Sequence, residues 1–512
     1  MQSAIVGGSV AAGKTGAKTV HRSDIRCKGF LLLLQQCYHT ASLPPDWAFC
    51  AVTKRETASP QAFKAEHLAW GFGSLGTITM ISAVSSLYLY FLVSVVKLSP
   101  ALAGTLIFAS KIIDMLSDPL MGWISDRTNT RWGRRRPYMF FASFACGASM
   151  ILMFSIPSSP VLMSTPMFVE LTLIFYALAL TAFNVPYLAM PAEMCGDYNE
   201  RSTLMSYRAF FLVGGSFVGA ALAGQILKHY GGGADAYFRA GCFLGIVAFV
   251  SMMITVIGTR HSTYTEFRQT TVPTLNQLKL FLVNKPFLIL GSVKAVQFLQ
   301  LATGSAVSLF FFIGVLQKDE GMLLPFGLSV SAGSIASIKL WLPITRALGK
   351  RNTFLIATML QSLIYLSWLL ATPAEPLWVF MLRAVLMGAC GCGVLVCSQS
   401  MIVDTIDYDR RLSGINREGV FSAVFSFIEK STHAAGPLLV GILLGTFGFD
   451  QSLPRGAPQP QSASDAIMLG MAVLPAACSL IMATGIWFYD LTEEKLEAAG
   501  IHGLASPGGR GP

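Results

Sequence analysis

The chain has 512 residues, of which 53% are hydrophobic and 12% charged, about half the charged fraction of an ordinary soluble domain. That balance cannot cover a water-facing surface, so it excludes a soluble enzyme, a disordered chain and a disulfide scaffold, and it leaves an all-α polytopic membrane protein. The formal charge of +10 is the Lys and Arg excess that membrane proteins gather in their loops, and no nucleic-acid partner is read from it.

Residues 1–65 form a basic tail in which Lys14, Lys18, Arg22, Arg26 and Lys28 face one acid, Asp24. Its only apolar run, Phe30 to Leu34, is too short to cross a bilayer. A targeting peptide, a disordered cytosolic arm and a gene-model extension all fit this composition. Gly8 to Thr15 matches the phosphate-loop pattern G-x-x-x-x-G-K-[ST]. That loop works only between a buried strand and a helix, which this tail does not provide, so nucleotide binding is not expected.

Hydrophobic stretches of spanning length then recur at 68–96, 101–125, 138–157, 168–191, 206–228, 237–258, 286–315, 322–345, 353–371, 376–403, 419–446 and 466–489. The expected architecture is therefore twelve transmembrane helices. Residues 66–258 would form an N-terminal six-helix bundle, 259–284 a central cytosolic loop, 285–490 a C-terminal six-helix bundle and 491–512 a cytosolic tail. Six spans on each side of the longest polar segment suggest an internal repeat, the common plan of secondary transporters. Loops after even-numbered spans hold most cations, among them Arg127, Arg134, Arg201, Arg260, Lys285, Arg346, Lys350 and Arg410, whereas the odd loops hold Lys97, Lys228, Arg239, Lys318 and Arg455. This bias puts both termini in the cytosol, with the plasma (inner) membrane as the expected location.

Span 2 carries Asp114, Ser117 and Asp118, two carboxylates at i and i+4 with a hydroxyl on the same face. Such acids persist in a membrane only if they share a proton, pair with a cationic side chain, or hold a cation. An all-oxygen set suits a hard cation such as sodium, with Asp114 and Asp118 as its metal ligands if the ion is not a proton. The competing expectation is a charge network with Lys111 or Lys430 as partner. Gly215 to Gly219 and Gly388 to Cys392 are read as close helix packing rather than metal sites. Glu429 and His433 are open between a proton relay and packing or gate roles.

The run Asp118-Pro-Leu-Met-Gly-Trp-Ile-Ser-Asp126-Arg127-Thr followed by Gly133-Arg134-Arg-Arg-Pro137 resembles the loop between spans 2 and 3 of the glycoside-pentoside-hexuronide:cation symporters, the melibiose permease-like family of the major facilitator superfamily. Segments Asn184 to Arg208 and Asp404 to Lys430 are similar to that family's spans 4–5 and 10–11. The resemblance implies a major facilitator fold in which Asp114, Ser117, Asp118 and Thr181 form the cation site. It also implies that Arg208 and Lys430 face the substrate cavity, and that Asp126, Arg127, Arg134, Arg201, Asp404, Asp407 and Glu418 belong to the cytosolic gate. Two positions depart from the family: its sugar-binding carboxylates fall on Ile78 and Asn184 of the substrate cavity.

The expected function is secondary active transport without covalent chemistry: symport of a small organic solute, such as a sugar derivative or uronide, with sodium or a proton as coupling ion. No cofactor is expected, and a monomer in the lipid bilayer is. Lysophospholipid or other amphiphile:sodium symport is the alternative within transport, and a non-transporting membrane receptor or scaffold is the alternative outside it.

Overall fold

A computed structural model describes residues 65–128, 130–156, 164–194, 198–260, 284–413 and 418–491. The basic tail with its phosphate-loop match and residues 261–283 of the central loop lie outside the described residues. Everything below belongs to one compact unit, Lys64–Pro512. Its described residues are helical, with no strand among them.

In chain order the helices are α1 (Ala65–Ala83, prolonged by wide π-helical turns Val84–Tyr88 and Phe91–Val95), α2 (Pro100–Arg127), α3 (Arg136–Met153) and α4 (Thr165–Ala189). Next come α5 (Tyr198–Ser216, prolonged by Phe217–Leu222 and Ala223–His229), α6 (Ala234–Gly258), α7 (Lys285–Phe310, prolonged by Phe311–Val315) and α8 (Leu323–Ser367). The last are α9 (Leu377–Ser413), α10 (Glu418–Thr446) and α11 (Gln461–Met468, prolonged by Leu469–Val473 and Leu474–Trp487). Several begin with proline in the first turn, where the missing N–H is no loss, as at Pro100 of α2 and Pro286 of α7. Asn284 caps α7 by accepting from the Phe287 amide at 3.1 Å.

Nine helical segments among the described residues are long and apolar enough to cross a membrane. Two of the expected boundaries move. Helix α5 starts at Tyr198 and α9 runs to Ser413, both beyond the apolar windows. Hydropathy registers only the lipid-embedded part, whereas polar extensions such as the last turns of α9, with an Asp407–Arg411 pair at 2.8 Å, stay helical in water. The expected spans 322–345 and 353–371 share one continuous element, α8, which breaks only at Gly349, where φ is 78°. A left-handed backbone there needs glycine.

Packing follows small residues. Helix α1 lies against α5 and α6, α2 against α4 and α10, α3 against α4 and α6, α7 against α10 and α11, and α8 against α9 and α11. A Cβ on Gly215 would meet the Leu75 carbonyl at 2.7 Å, and one on Gly388 would strike the Val330 carbonyl, so both glycine runs are close-packing seams as expected. The outward surface is apolar: Phe210 is 73% exposed and Leu370 75%, which only lipid can cover.

The 65–258 and 285–491 stretches repeat each other in detail. In α1 the final wide turn closes through Val96 N to Phe91 O at 3.0 Å and Leu98 N to Leu92 O at 3.0 Å. In α7 the same pattern recurs through Leu316 N to Phe311 O at 3.0 Å and Lys318 N to Phe312 O at 2.9 Å. Each end then places a non-glycine residue in the left-handed region, Lys97 (φ 67°) and Gln317 (φ 52°).

The two stretches meet most extensively where α2 crosses α10. At that crossing a Cβ on Gly104 would sit 2.7 Å from the Pro437 carbonyl and 3.0 Å from Leu438 Cα, backbone that cannot yield. We expect Gly104→Val to destabilise the protein by about 1–3 kcal/mol through overpacking, read as a lower melting temperature of the detergent-purified protein. An unchanged melt would show that the crossing adjusts freely.

Candidate functional site

Three helices build the centre of the site. The i, i+4 spacing puts Asp114 and Asp118 on one face of α2, and α4 supplies Thr181 opposite them. The Thr181 hydroxyl lies 2.9 Å from Asp114 Oδ1 and 3.1 Å from Asp118 Oδ1, and Ser117 Oγ donates to Thr181 Oγ1 at 3.1 Å. All four expected cation-site residues are thus brought together. Asp114 is sealed, with its side chain 6% exposed, while that of Asp118 is 26% exposed.

The third helix contributes charge. Lys430 of α10 makes an ion pair with Asp118 and lies 3.4 Å from Asp114 Oδ2, while Lys111 approaches Asp114 at 3.9 Å. Lys430, expected in the substrate cavity, therefore binds the acid pair directly. The charge network and the oxygen cradle considered as alternatives occupy the same place. Besides the Lys111 ammonium, the groups of α2 and α4 bonded at the pair are the Ser117 and Thr181 hydroxyls, and with the carboxylates they form an oxygen set suited to a hard monovalent cation, which would compete with the Lys430 ammonium for the same carboxylate oxygens.

The other expected cavity residues sit nearby in the fold. Ile78 of α1 packs at the Gly215 seam, 3.0 Å from where a Cβ there would stand. Asn184 of α4 is half-buried. Arg208 of α5 is half-buried, with a buried Nε that has no hydrogen-bond partner.

At one end of the protein lie the expected gate residues. Asp126 pairs with Arg135 at 3.4 Å, Arg127 stacks on Trp123 at 4.0 Å, and Arg134 lies in the bend just before α3. Asp404 pairs with Lys350 at 2.6 Å, tying α9 to α8 beside the Gly349 break, and Asp407 pairs with Arg411 along α9. The side chains of Arg201 and Glu418 lie outside the described residues.

The opposite end carries a closure that the sequence reading did not assign. Arg455, between α10 and α11, pairs with the fully buried Glu320 and donates to the Gly231 carbonyl. Lys97 donates to the Leu453 carbonyl at 2.8 Å, Lys228 pairs with Asp319 at 3.2 Å, and Gln225 donates to the Gly321 carbonyl at 2.9 Å. Except for the Arg455–Glu320 pair, which lies within 285–491, each of these reaches from the 65–258 stretch to the 285–491 stretch. Asp450 holds the loop's shape by accepting from Ser452 Oγ at 2.5 Å and Ser452 N at 2.8 Å. These hydrogen bonds, the hydroxyl's first, hold its carboxyl below the ordinary value.

A second residue was missed. Lys294 of α7 is 2% exposed. It donates to Gln297 Oε1 at 2.8 Å and Ser398 Oγ at 3.3 Å, and its ammonium stands 5.1 Å from the Phe298 ring centre. The signal was present, since a lone lysine amid apolar residues of a spanning helix marks a functional position by the same rule that singled out Asp114.

The family described as MFS/sugar transport protein matches residues 69–493. The putative glycoside/cation symporter YagG of Escherichia coli (strain K12) is 27% identical, over 85% of this chain and 93% of its own. The glucuronide carrier protein homolog of the same organism is 26% identical over 84% and 95%. Sodium-dependent lysophosphatidylcholine symporter 1 of Gallus gallus is 23% identical over 88% and 91%. Among solved structures, the nucleoside transporter NupG is similar in fold, with a TM-score of 0.59 at 13% identity over 83% of this chain and 100% of that one.

Removing Arg455 takes away its bond to the Gly231 carbonyl across the closure and leaves the Glu320 charge buried without its partner, which costs about 3–5 kcal/mol. We expect Arg455→Ala to raise the labelling of a cysteine placed at Ser94 by an impermeant maleimide applied from the side of the 447–460 loop. Labelling at the unsubstituted level would show that the closure rests on the other cross-links.

Proposed function

The chain belongs to the MFS/sugar transport protein family, and on that premise we propose that it is a cation-coupled symporter that carries a small organic solute with sodium or a proton by alternating access. It is a transporter and not an enzyme. Twelve spans fit the helices: α8 with its flanking turns, 51 residues from Glu320 to Leu370, measures about 77 Å. That is twice a bilayer, and α3 and α10 complete the set. Loop charge puts the basic end with Arg127 and Arg134 in the cytosol and the Arg455 closure outside, with 66–258 and 285–490 as the two moving bundles.

The observation that carries this reading is that one ammonium, Lys430, holds both acids of the other bundle. A cation entering the Asp114, Ser117, Asp118 and Thr181 oxygens replaces that ammonium, so ion occupancy changes how the bundles are joined. Released, Lys430 turns to the cavity and offers its charge to the solute. Each monovalent ion crossing 100 mV adds about 2.3 kcal/mol to its concentration gradient.

For the solute, Ile78 and Asn184 stand where the family resemblance places sugar-binding carboxylates. A neutral glycoside thereby loses charge-assisted acceptors, each roughly twice as strong as a neutral hydrogen bond. A uronide or another organic anion fits the remaining Arg208 and Lys430 better, in line with the glucuronide carrier homolog among the relatives. Ile78 also suits an apolar portion, which supports lysophospholipid:sodium symport as the second reading.

The test is transport in proteoliposomes. Asp114→Asn and Asp118→Asn should each abolish stimulation of uptake by a sodium or proton gradient, because an amide supplies a dipole where the ion needs net charge. Full stimulation in both variants would leave the acids structural. In intact cells, a cysteine in the 127–136 loop should be labelled only from inside and one in the 450–460 loop only from outside, and the reverse pattern would overturn the topology.

A further inference from the structure

A cleft of about 420 Å³ opens at the Arg455 end, and it shares no lining residue with the Asp114 and Asp118 site. Its size falls in the range of small-molecule sites, about 300–1,000 Å³. The walls come from both stretches of the chain: Gln225 and Lys228 from the end of α5, and residues between 316 and 325 and between 372 and 380 from the turns on either side of α8. Two cross-links of the closure run through this lining, Gln225 to the Gly321 carbonyl and Lys228 to Asp319. The cleft is therefore complete only when the two stretches are together.

Glu375 gives the cleft its chemistry. Its side chain is 10% exposed and its Oε2 accepts from Arg383 Nη1 at 2.6 Å, but Oε1 has no hydrogen-bond partner. A buried carboxylate oxygen without a donor is costly, and a donor entering the cleft removes that cost. The donor that fits is uncharged. Arg383 already balances Glu375, so an ammonium at Oε1 would add an unmatched charge to a buried pair. The remaining charges call for an anion: Lys228 answers Asp319 at 3.2 Å, whereas Lys318, exposed on the turn between α7 and α8, pairs with no acid among the described residues. The rest of the wall is apolar, with Met322, Leu377 and Phe380. Leu377 leads to Trp378, 67% exposed at the start of α9, and an exposed tryptophan at the end of a spanning helix marks the depth of lipid headgroups.

We propose that this cleft holds the headgroup of a phospholipid with one phosphodiester charge and a free hydroxyl, the phosphatidylglycerol type. The phosphate lies against Lys318, the hydroxyl donates to Glu375 Oε1, and the acyl chains leave over Leu377 along the lipid-facing surface. Such a lipid is a fixture of the closed end and not cargo, so the inference holds whatever solute the protein carries.

The test uses the full chain in detergent with Thr372→Cys, an exposed position in the lining, and follows how short-chain lipids protect that cysteine from a maleimide, over the labelling of the unsubstituted protein. Dihexanoyl phosphatidylglycerol should protect at about tenfold lower concentration than dihexanoyl phosphatidylethanol, which keeps the charge and lacks the hydroxyl; tenfold is the scale of one hydrogen bond to a charged group. Glu375→Gln should bring that ratio close to one. Lys318→Gln, on an exposed turn, should weaken both lipids about two- to fivefold and keep the ratio. Bound phosphatidylglycerol should also lower labelling of the cysteine placed at Ser94. Equal protection by phosphatidylglycerol and phosphatidylethanol overturns the hydroxyl contact and the proposal with it. Tighter protection by dihexanoyl phosphatidylethanolamine overturns the uncharged donor, and equal protection by glycerophosphoglycerol, which has no chains, overturns the lipid in favour of a water-soluble phosphodiester. A rise in Ser94 labelling would place the lipid on the parted form and overturn the two-stretch site.

Discussion

Two carboxylates one turn apart on a spanning helix repel each other, and each costs a few kcal/mol in lipid unless a cation joins them. In this protein the cation is an ammonium on another helix in the other half of the chain, Lys430 of α10 against Asp114 and Asp118 of α2. Charge neutrality and helix association are therefore one requirement. The glycines at the α2–α10 crossing let the two backbones approach, and the crossing brings the lysine to the acids. Thr181 completes the arrangement from α4 by touching both carboxylates, so the pair has a fixed geometry even though its charges are shared.

Much of this was legible in the sequence. The i, i+4 acids imposed a common face, and the family resemblance placed Thr181 beside them. What the sequence could not show was which lysine would answer them, because Lys111 and Lys430 are equally plausible until the helix crossing is known. Lys294 went unassigned for a related reason: its neutral partners, Gln297 and Ser398, lie three residues away and on another helix, and neither carries a charge pattern to search for. The closure at the Arg455 end was illegible because its acceptors are mostly backbone carbonyls, at Gly231, Gly321 and Leu453. Any sequence offers carbonyls, and only the fold selects which ones a cation meets.

The ends of the protein differ in kind. Among the described pairs, those at the end with Arg127 lie within one stretch of the chain, as in Asp126 with Arg135 and Asp404 with Lys350. At the end with Arg455, Lys228 pairs with Asp319 across the stretches, and Arg455, itself paired with Glu320 inside the 285–491 stretch, donates across to the Gly231 carbonyl. The buried Glu320 carboxylate holds the Arg455 guanidinium that reaches across to Gly231, so the grip of that end depends on both members of the pair.

The matching wide turns that end α1 and α7 bear on this difference. A backbone repeated in parallel puts corresponding positions of the two stretches at the same end of the protein. Lys97 and Gln317 occupy corresponding left-handed positions, yet the lysine reaches across to the Leu453 carbonyl while its counterpart is a neutral amide. At equivalent positions of a shared frame the two halves thus differ only in side-chain chemistry, and the grip of that end can be retuned by point substitution without disturbing the scaffold that both halves share.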